Sequence, residues 1–211
     1  MDNLSKPNRI FLLSPASCGG RRAEILLRKE ADFDLAFRLR SLGVALGEAF
    51  SFLSGLYFRG KMAYAARFGR TEQGLPTSLV ITAGRGLLAP ETAIHCEDLQ
   101  AFATTPIDLR EASYREPLRR DALNLATKLV SNCQVVLLGS IATPKYREVL
   151  VDVFGDRLYF PAEFIGRGDM SRGGLMLRCV DAGRELDYVP VSGATVRGSR
   201  PERLKPRSKS E

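Results

Sequence analysis

Three short apolar runs constrain this chain most: Arg9–Leu13 (R-I-F-L-L), Ser78–Thr82 (S-L-V-I-T) and Gln134–Leu138 (Q-V-V-L-L). They are too short for ordinary helices and lack polar alternation, the pattern of strands covered on both faces. Each run stops in a loop of small residues, glycine and cations: Ser14–Arg22, Ala83–Glu91 and Gly139–Tyr146. Helix-like stretches separate the runs, so the strands are expected to lie parallel with crossover helices between them. The predicted fold is α/β, a three-layer sandwich with a mainly parallel central sheet. Its loops then gather at the carboxyl ends of the strands, where open α/β sheets bind ligands.

Between the first two runs, Phe33, Phe37, Leu42, Leu46, Phe50 and Leu53 recur at helical spacing and predict one buried stripe. Gly55–Lys61 reads as an interruption, with a helix resuming over Met62–Phe68. Pro117–Asn132 predicts an amphipathic helix with proline at its start and Leu118, Ala122, Leu125 and Leu129 on one face. A helix over Lys145–Phe154 and a fourth strand over Arg157–Phe160 follow. Leu175–Val180 and Leu186–Val189, joined by a turn at Asp181–Arg184, predict a C-terminal hairpin. A length of 211 residues suits one domain, 1–196. Residues 197–211 read as a disordered basic tail, with four Arg and two Lys between Arg197 and Lys209.

Lys and Arg total 31 against 24 Asp and Glu, which gives a net charge of +7. Arginine supplies most of the excess, and its guanidinium fork suits phosphate, so a nucleic acid or nucleotide partner is favoured. Cys18, Cys96, Cys133 and Cys179 are scattered and His95 is the single histidine, which leaves no zinc-site spacing. No apolar run approaches the ~20 residues needed to span a bilayer, and no signal peptide is recognisable. A cytoplasmic protein with reduced thiols and no membrane partner is expected.

The loops carry the candidate chemistry. The segment Phe160–Gly174 (F-P-A-E-F-I-G-R-G-D-M-S-R-G-G) reads as a fifteen-residue ligand-facing loop, long for a simple turn. Asp169 lies close to glycines that let it approach a sugar and to arginines that keep it ionised. It ranks ahead of Glu163 and Glu91 as a catalytic carboxylate; the alternative is a loop acid paired with Arg167 or Arg172. Tyr57, Arg59, Lys61 and Tyr64 combine two aromatics with two cations in eight residues, as stacking on a base and gripping phosphate require. The alternative places the tyrosine in the core and the cations in solvent. Ser14, Cys18, Arg21, Arg85, Ser140, Lys145, Arg167, Ser171 and Arg172 complete the expected nucleic-acid contacts. His95-Cys96-Glu97-Asp98 is rich in proton-transfer groups, though a lone histidine is more often structural.

Three segments taken together, Ile10–Ala16 (I-F-L-L-S-P-A), Gly55–Gly60 (G-L-Y-F-R-G) and Leu79–Glu91 (L-V-I-T-A-G-R-G-L-L-A-P-E), resemble the peroxide-stress YaaA family and related domains. The resemblance covers roughly the first half of the chain. It departs from the family where Ser17 and Cys18 stand in place of the usual lysine after Ser-Pro-Ala. It implies DNA binding and DNA protection, and for related domains an association with enzymes that exchange or modify nucleobases. Charge, loops and resemblance together predict an enzyme on an N-glycosidic bond in nucleic acid, DNA more than RNA. The expected enzyme is a DNA glycosylase excising an unusual base, without a cofactor, in a setting of repair or phage defence. The alternatives are a non-catalytic DNA-binding protein and a hydrolase or transferase of free nucleosides.

Overall fold

The structure, a computed structural model, describes residues 7–72, 74–194, 198–202 and 204. In chain order the elements are β1 (Arg9–Leu13), α1 (Arg21–Leu27), α2 (Asp34–Ser41), β2 (Val44–Ala45), α3 (Leu46–Ser54) and α4 (Leu56–Phe68). There follow β3 (Ser78–Thr82), β4 (Gly86–Leu88), β5 (Ala93–Ile94), α5 (Cys96–Thr104), α6 (Ala112–Lys128) and β6 (Gln134–Leu138). The chain closes with α7 (Pro144–Phe154), β7 (Leu158–Pro161), α8 (Asp169–Ala182) and β8 (Tyr188–Pro190).

The three apolar runs are β1, β3 and β6, with the predicted bounds. Their sheet has the order β4-β3-β1-β6-β7-β8, parallel through β3-β1-β6-β7 and antiparallel at both edges. β1 sits in the middle, in register with β6 from Arg9↔Gln134 to Leu13↔Leu138. Ile10, Phe11, Leu12 and Leu13 are all fully buried, as a strand with both faces covered requires. Helices α4 and α8 pack together in one outer layer, α4 against β1. Helices α6 and α7 pack together in the other, near β3, β4 and β7, which makes the three-layer sandwich.

Several expectations give way. The interruption at Gly55–Lys61 shrinks to Gly55, at φ +60°, and α4 begins at Leu56. α6 starts at Ala112, so Pro117 lies inside it rather than at its start. Phe37 and Leu42 are 60% and 73% exposed and fall outside the predicted stripe. A C-terminal hairpin is present as the antiparallel pair β7–β8, but Leu175–Val180 is not its first arm, because that run lies inside α8. For the same reason Phe160–Gly174 is not one loop: its end forms the first turns of α8.

The reason is a close helix crossing. A Cβ on Gly60 would come within 2.8 Å of the Gly173 carbonyl oxygen, and one on Gly173 within 2.7 Å of the Leu56 oxygen. Glycines that look like loop formers are here the contact surface between two helices, and packing outweighs their poor helix propensity. Of the tail, residues 198–202 and Leu204 are described; the Glu202 carbonyl accepts from Arg167 at 3.3 Å, and Leu204 lies against Gly174. Among the described residues no helix is long and apolar enough to cross a membrane.

Candidate active site at the switch point of the sheet

After β1 the chain crosses to β3, and after β6 it crosses the other way, to β7. The loops leaving β1 and β6 therefore diverge and open a crevice between Ser14 and Gly139, the place where such sheets bind ligands. The two loops start in contact. Ser14 N–H donates to the Leu138 carbonyl at 3.2 Å, and a Cβ on Gly139 would come within 2.9 Å of Ser14 Cβ.

Ser14 receives a lysine from below. Tyr57 and Lys61 lie four residues apart on one face of α4, directed inward by the Gly60–Gly173 crossing. Lys61 is 0% exposed. Its Nζ donates to Ser14 Oγ at 2.7 Å and to the Ser14 carbonyl at 2.8 Å, and sits 3.9 Å from the centre of the Tyr57 ring. Burial of the ammonium lowers the Lys61 pKa to about 7; Arg172 lowers it further and Asp169 partly opposes. An amine so placed changes charge near neutral pH.

The surrounding groups are polar and half-hidden. Tyr57 is 5% exposed, and its hydroxyl has no hydrogen-bond partner of normal geometry among the described residues. Burial raises its pKa strongly, and the nearby Arg172 partly opposes the rise. Tyr146, in the first turn of α7, is partly buried; burial raises its pKa and the nearby Ser14 side chain opposes the rise. Arg172 is buried, donating Nε and Nη2 to the Phe164 carbonyl at 3.2 and 3.0 Å. Its Nη1 lies 3.7 Å from Asp169 Oδ1, and the Asp169 side chain is 70% exposed. Asp169 thus stands at the mouth of a cluster made of Ser14, Tyr57, Lys61, Tyr146 and Arg172.

Two clefts open at the same rim. One of about 310 Å³ lies between Pro15–Gly19 and Thr105–Ile107, with Lys145 at its edge. The other, of about 290 Å³, has apolar walls in Ile141, Phe160, Phe164 and Ile165, with Ser140 and Arg172 as polar groups.

The structure separates the sequence candidates into groups. Ser14, Tyr57, Lys61, Asp169 and Arg172 come together. Tyr57 and Lys61, however, are buried against one another rather than presented to a base and a phosphate. Ser140 lines the second cleft, its Oγ accepting from the Ala142 N–H at 3.3 Å. Cys18 lines the first cleft, but burial pushes its thiol up to about 12, the reverse of an activated thiolate. Arg21, Arg59 and Lys145 are exposed. Arg85 pairs with Asp98 at 2.6 Å, and Asp98 accepts the His95 N–H at the start of α5, so the histidine-acid cluster is a helix cap. Arg167 donates to the Glu163 carbonyl at 3.0 Å and to Ser171 Oγ at 3.2 Å, which ties all three residues into the local frame.

Two of the three candidate carboxylates are elsewhere. Glu163 follows the carboxyl end of β7 on the side of β8, where Oε1 faces the Asp187 N–H at 3.4 Å and Oε2 is buried with no hydrogen-bond partner among the described residues. Glu91 is exposed beyond the end of β4, which runs back from the rim. Sequence reasoning passed over Tyr146, although its place just inside a proline-started helix after the third loop was a usable signal. Among the described residues no group of three His, Cys, Asp or Glu side chains could hold a metal ion. Compared with known proteins, the chain matches no family model, no curated protein and no solved structure.

Proposed function

We propose that this protein cleaves an N-glycosidic bond in nucleic acid, DNA in preference to RNA, as a glycosylase that excises an unusual or modified base. The observation that carries the reading is the exposed Asp169 carboxylate 3.7 Å from the buried Arg172, which itself lines an apolar cleft of about 290 Å³ at the rim. Glycosidic cleavage builds positive charge on the sugar, and a carboxylate next to the sugar stabilises that charge and aligns water. The apolar walls of the second cleft suit the flat face of an extruded base, and Ser140 and Arg172 can read its polar edge. The net charge of +7 and the exposed Arg21, Arg59 and Lys145 suit a polyanionic substrate. The resemblance of three segments to the YaaA family points to the same class of partner.

A second reading, a DNA-binding protein without catalysis, is favoured by the same exposed cations. It predicts binding that weakens steeply with salt and persists in Asp169→Asn. The test incubates the protein with normal DNA, DNA carrying modified bases, RNA and free nucleosides, with mass spectrometry for released base. Base from modified DNA supports the proposal. Base from nucleosides alone makes it a nucleoside hydrolase or transferase, and none from any substrate, with binding retained, leaves the second reading.

A further inference from the structure

The glycosidic reading leaves open which base the second cleft accepts, and the polar groups on its wall are nearly all of one kind. Its apolar surfaces come from Ile141, Phe160, Phe164 and Ile165, and its polar side chains are Ser140, Arg167 and Arg172. Among the described residues no carboxylate or amide side chain lines it, so a ligand meets hydrogen-bond donors there and one serine hydroxyl. Arg167 is tied into the frame, with Nε on the Glu163 carbonyl and Nη1 on Ser171 Oγ and the Glu202 carbonyl. Ser140 Oγ accepts the Ala142 N–H at 3.3 Å, which leaves its hydroxyl hydrogen to donate.

Arg172 is placed differently. Its Nε and Nη2 both donate to the Phe164 carbonyl, at 3.2 and 3.0 Å, so one side edge of the guanidinium is taken up by backbone. Those two bonds fix the plane of the group, and the Phe164 ring packs beside it with its centre 5.4 Å from Cζ. Three of its five N–H donors are left, both on Nη1 and the second on Nη2. Among the described residues Nη1 has only the 3.7 Å ion pair with Asp169. The end of the guanidinium, one N–H of Nη1 beside one of Nη2, is therefore an unfilled fork for two adjacent acceptors. Arg172 is only 9% exposed, so a ligand that met the fork with donors of its own would leave buried donors unsatisfied on both sides.

We propose that Arg172 makes the second cleft a site for a 6-oxopurine base, with the Nη1–Nη2 fork on the adjacent O6 and N7 acceptors and the ring against the apolar walls. The proposal rests on the glycosidic reading for its polymer substrate, and on the donor geometry for its base. A 6-oxopurine presents O6 and N7 side by side, and an arginine fork is the group that meets such a pair. Adenine puts an amine donor next to N7, and cytosine carries an amine where uracil has a carbonyl, so each faces the fork donor to donor. Uracil and thymine offer one carbonyl with carbon beside it, which fills half the fork. The Ser140 hydroxyl adds a further donor to the same cleft.

Free bases test this without requiring cleavage. Isothermal titration calorimetry of the full chain compares hypoxanthine with 7-deazahypoxanthine, which lacks the N7 acceptor, and with adenine and uracil. Hypoxanthine should bind about 5–150-fold more tightly than each of the others, the range for losing one bidentate pair. Arg172→Lys keeps the charge but not the fork, and should abolish the preference for hypoxanthine over 7-deazahypoxanthine. Ser140→Ala should weaken hypoxanthine and leave that preference in place. If Arg172→Lys does not fold, the ligand series on the wild type decides alone. Adenine bound as tightly as hypoxanthine overturns the proposal, as does inorganic phosphate bound where no base binds, or no base bound at millimolar concentration. Base release from DNA, followed by mass spectrometry, separates this proposal from the glycosidic reading. Preferential binding of hypoxanthine with no base released from any polymer overturns the glycosidic reading and leaves the oxopurine site. Base release with no preference for oxopurines keeps the glycosidic reading and overturns the oxopurine site.

Discussion

Replacing Lys61 with methionine should change how stability depends on pH more than stability itself. Folded Lys61 loses its proton near pH 7, whereas a lysine in the unfolded chain loses it near 10.5. Between those values the unfolded chain binds the extra proton, so raising the pH favours the folded state. The depression amounts to about 5 kcal/mol against the charged form, at roughly 1.4 kcal/mol for each pH unit. Lys61→Met has no proton to lose there. The stability of wild type relative to the variant should therefore be flat below pH 7 and rise by about 1.4 kcal/mol between pH 8 and 9. Subtracting the variant cancels the buried thiols and phenols that titrate in both proteins. Urea unfolding of both at pH 6, 7, 8 and 9 gives the difference directly. A difference constant within about 0.5 kcal/mol across the four pH values would refute the assignment of Lys61 as a buried, near-neutral amine.

Other perturbations have equally definite outcomes. Gly173→Ala places a methyl 2.7 Å from the Leu56 carbonyl oxygen, with no flexible side chain to yield. It should cost about 1–3 kcal/mol in urea unfolding and separate Tyr57 from Arg172. Glu185 pairs with the buried Arg9 and with Arg70 at 3.2 Å. Glu185→Ala should therefore destabilise by about 3 kcal/mol, because the Arg9 charge is left buried with Gln134 and the Tyr188 ring as its side-chain partners among the described residues. Cys18, with its thiol raised to about 12, should resist iodoacetamide at pH 8 in the folded protein and react on unfolding, as peptide mapping will show.

The sheet was legible because each central strand has a short apolar run followed by small residues, a pattern few other structures satisfy. β1, β3 and β6 follow it residue for residue. The rim that carries the candidate site was legible for a related reason, since the loops after parallel strands must meet at one rim. α8 was not legible. Gly166, Gly168, Gly173 and Gly174 read as loop on propensity, and the apolar residues after them read as strand. Only the partner surface on α4 explains why Gly173 is helical. The same crossing hid the placement of Lys61. In sequence it stands two residues from the exposed Arg59 and looks like another surface cation. In the fold, Gly60 against Gly173 turns Tyr57 and Lys61 inward toward Ser14. Long-range packing decided both, and it leaves no local trace in the chain.

The central claim is that Asp169 at the switch point supports cleavage of a glycosidic bond. Its most direct test is base release from modified DNA by the wild type and by Asp169→Asn, with binding measured in parallel. The carboxylate is exposed and among the described residues makes one long ion-pair contact, to Arg172 at 3.7 Å, so the amide should fold and bind DNA as the wild type does. The account predicts free base from the wild type and a loss of at least about 10²-fold in the variant, with affinity unchanged or improved. Equal base release by the two proteins would contradict it.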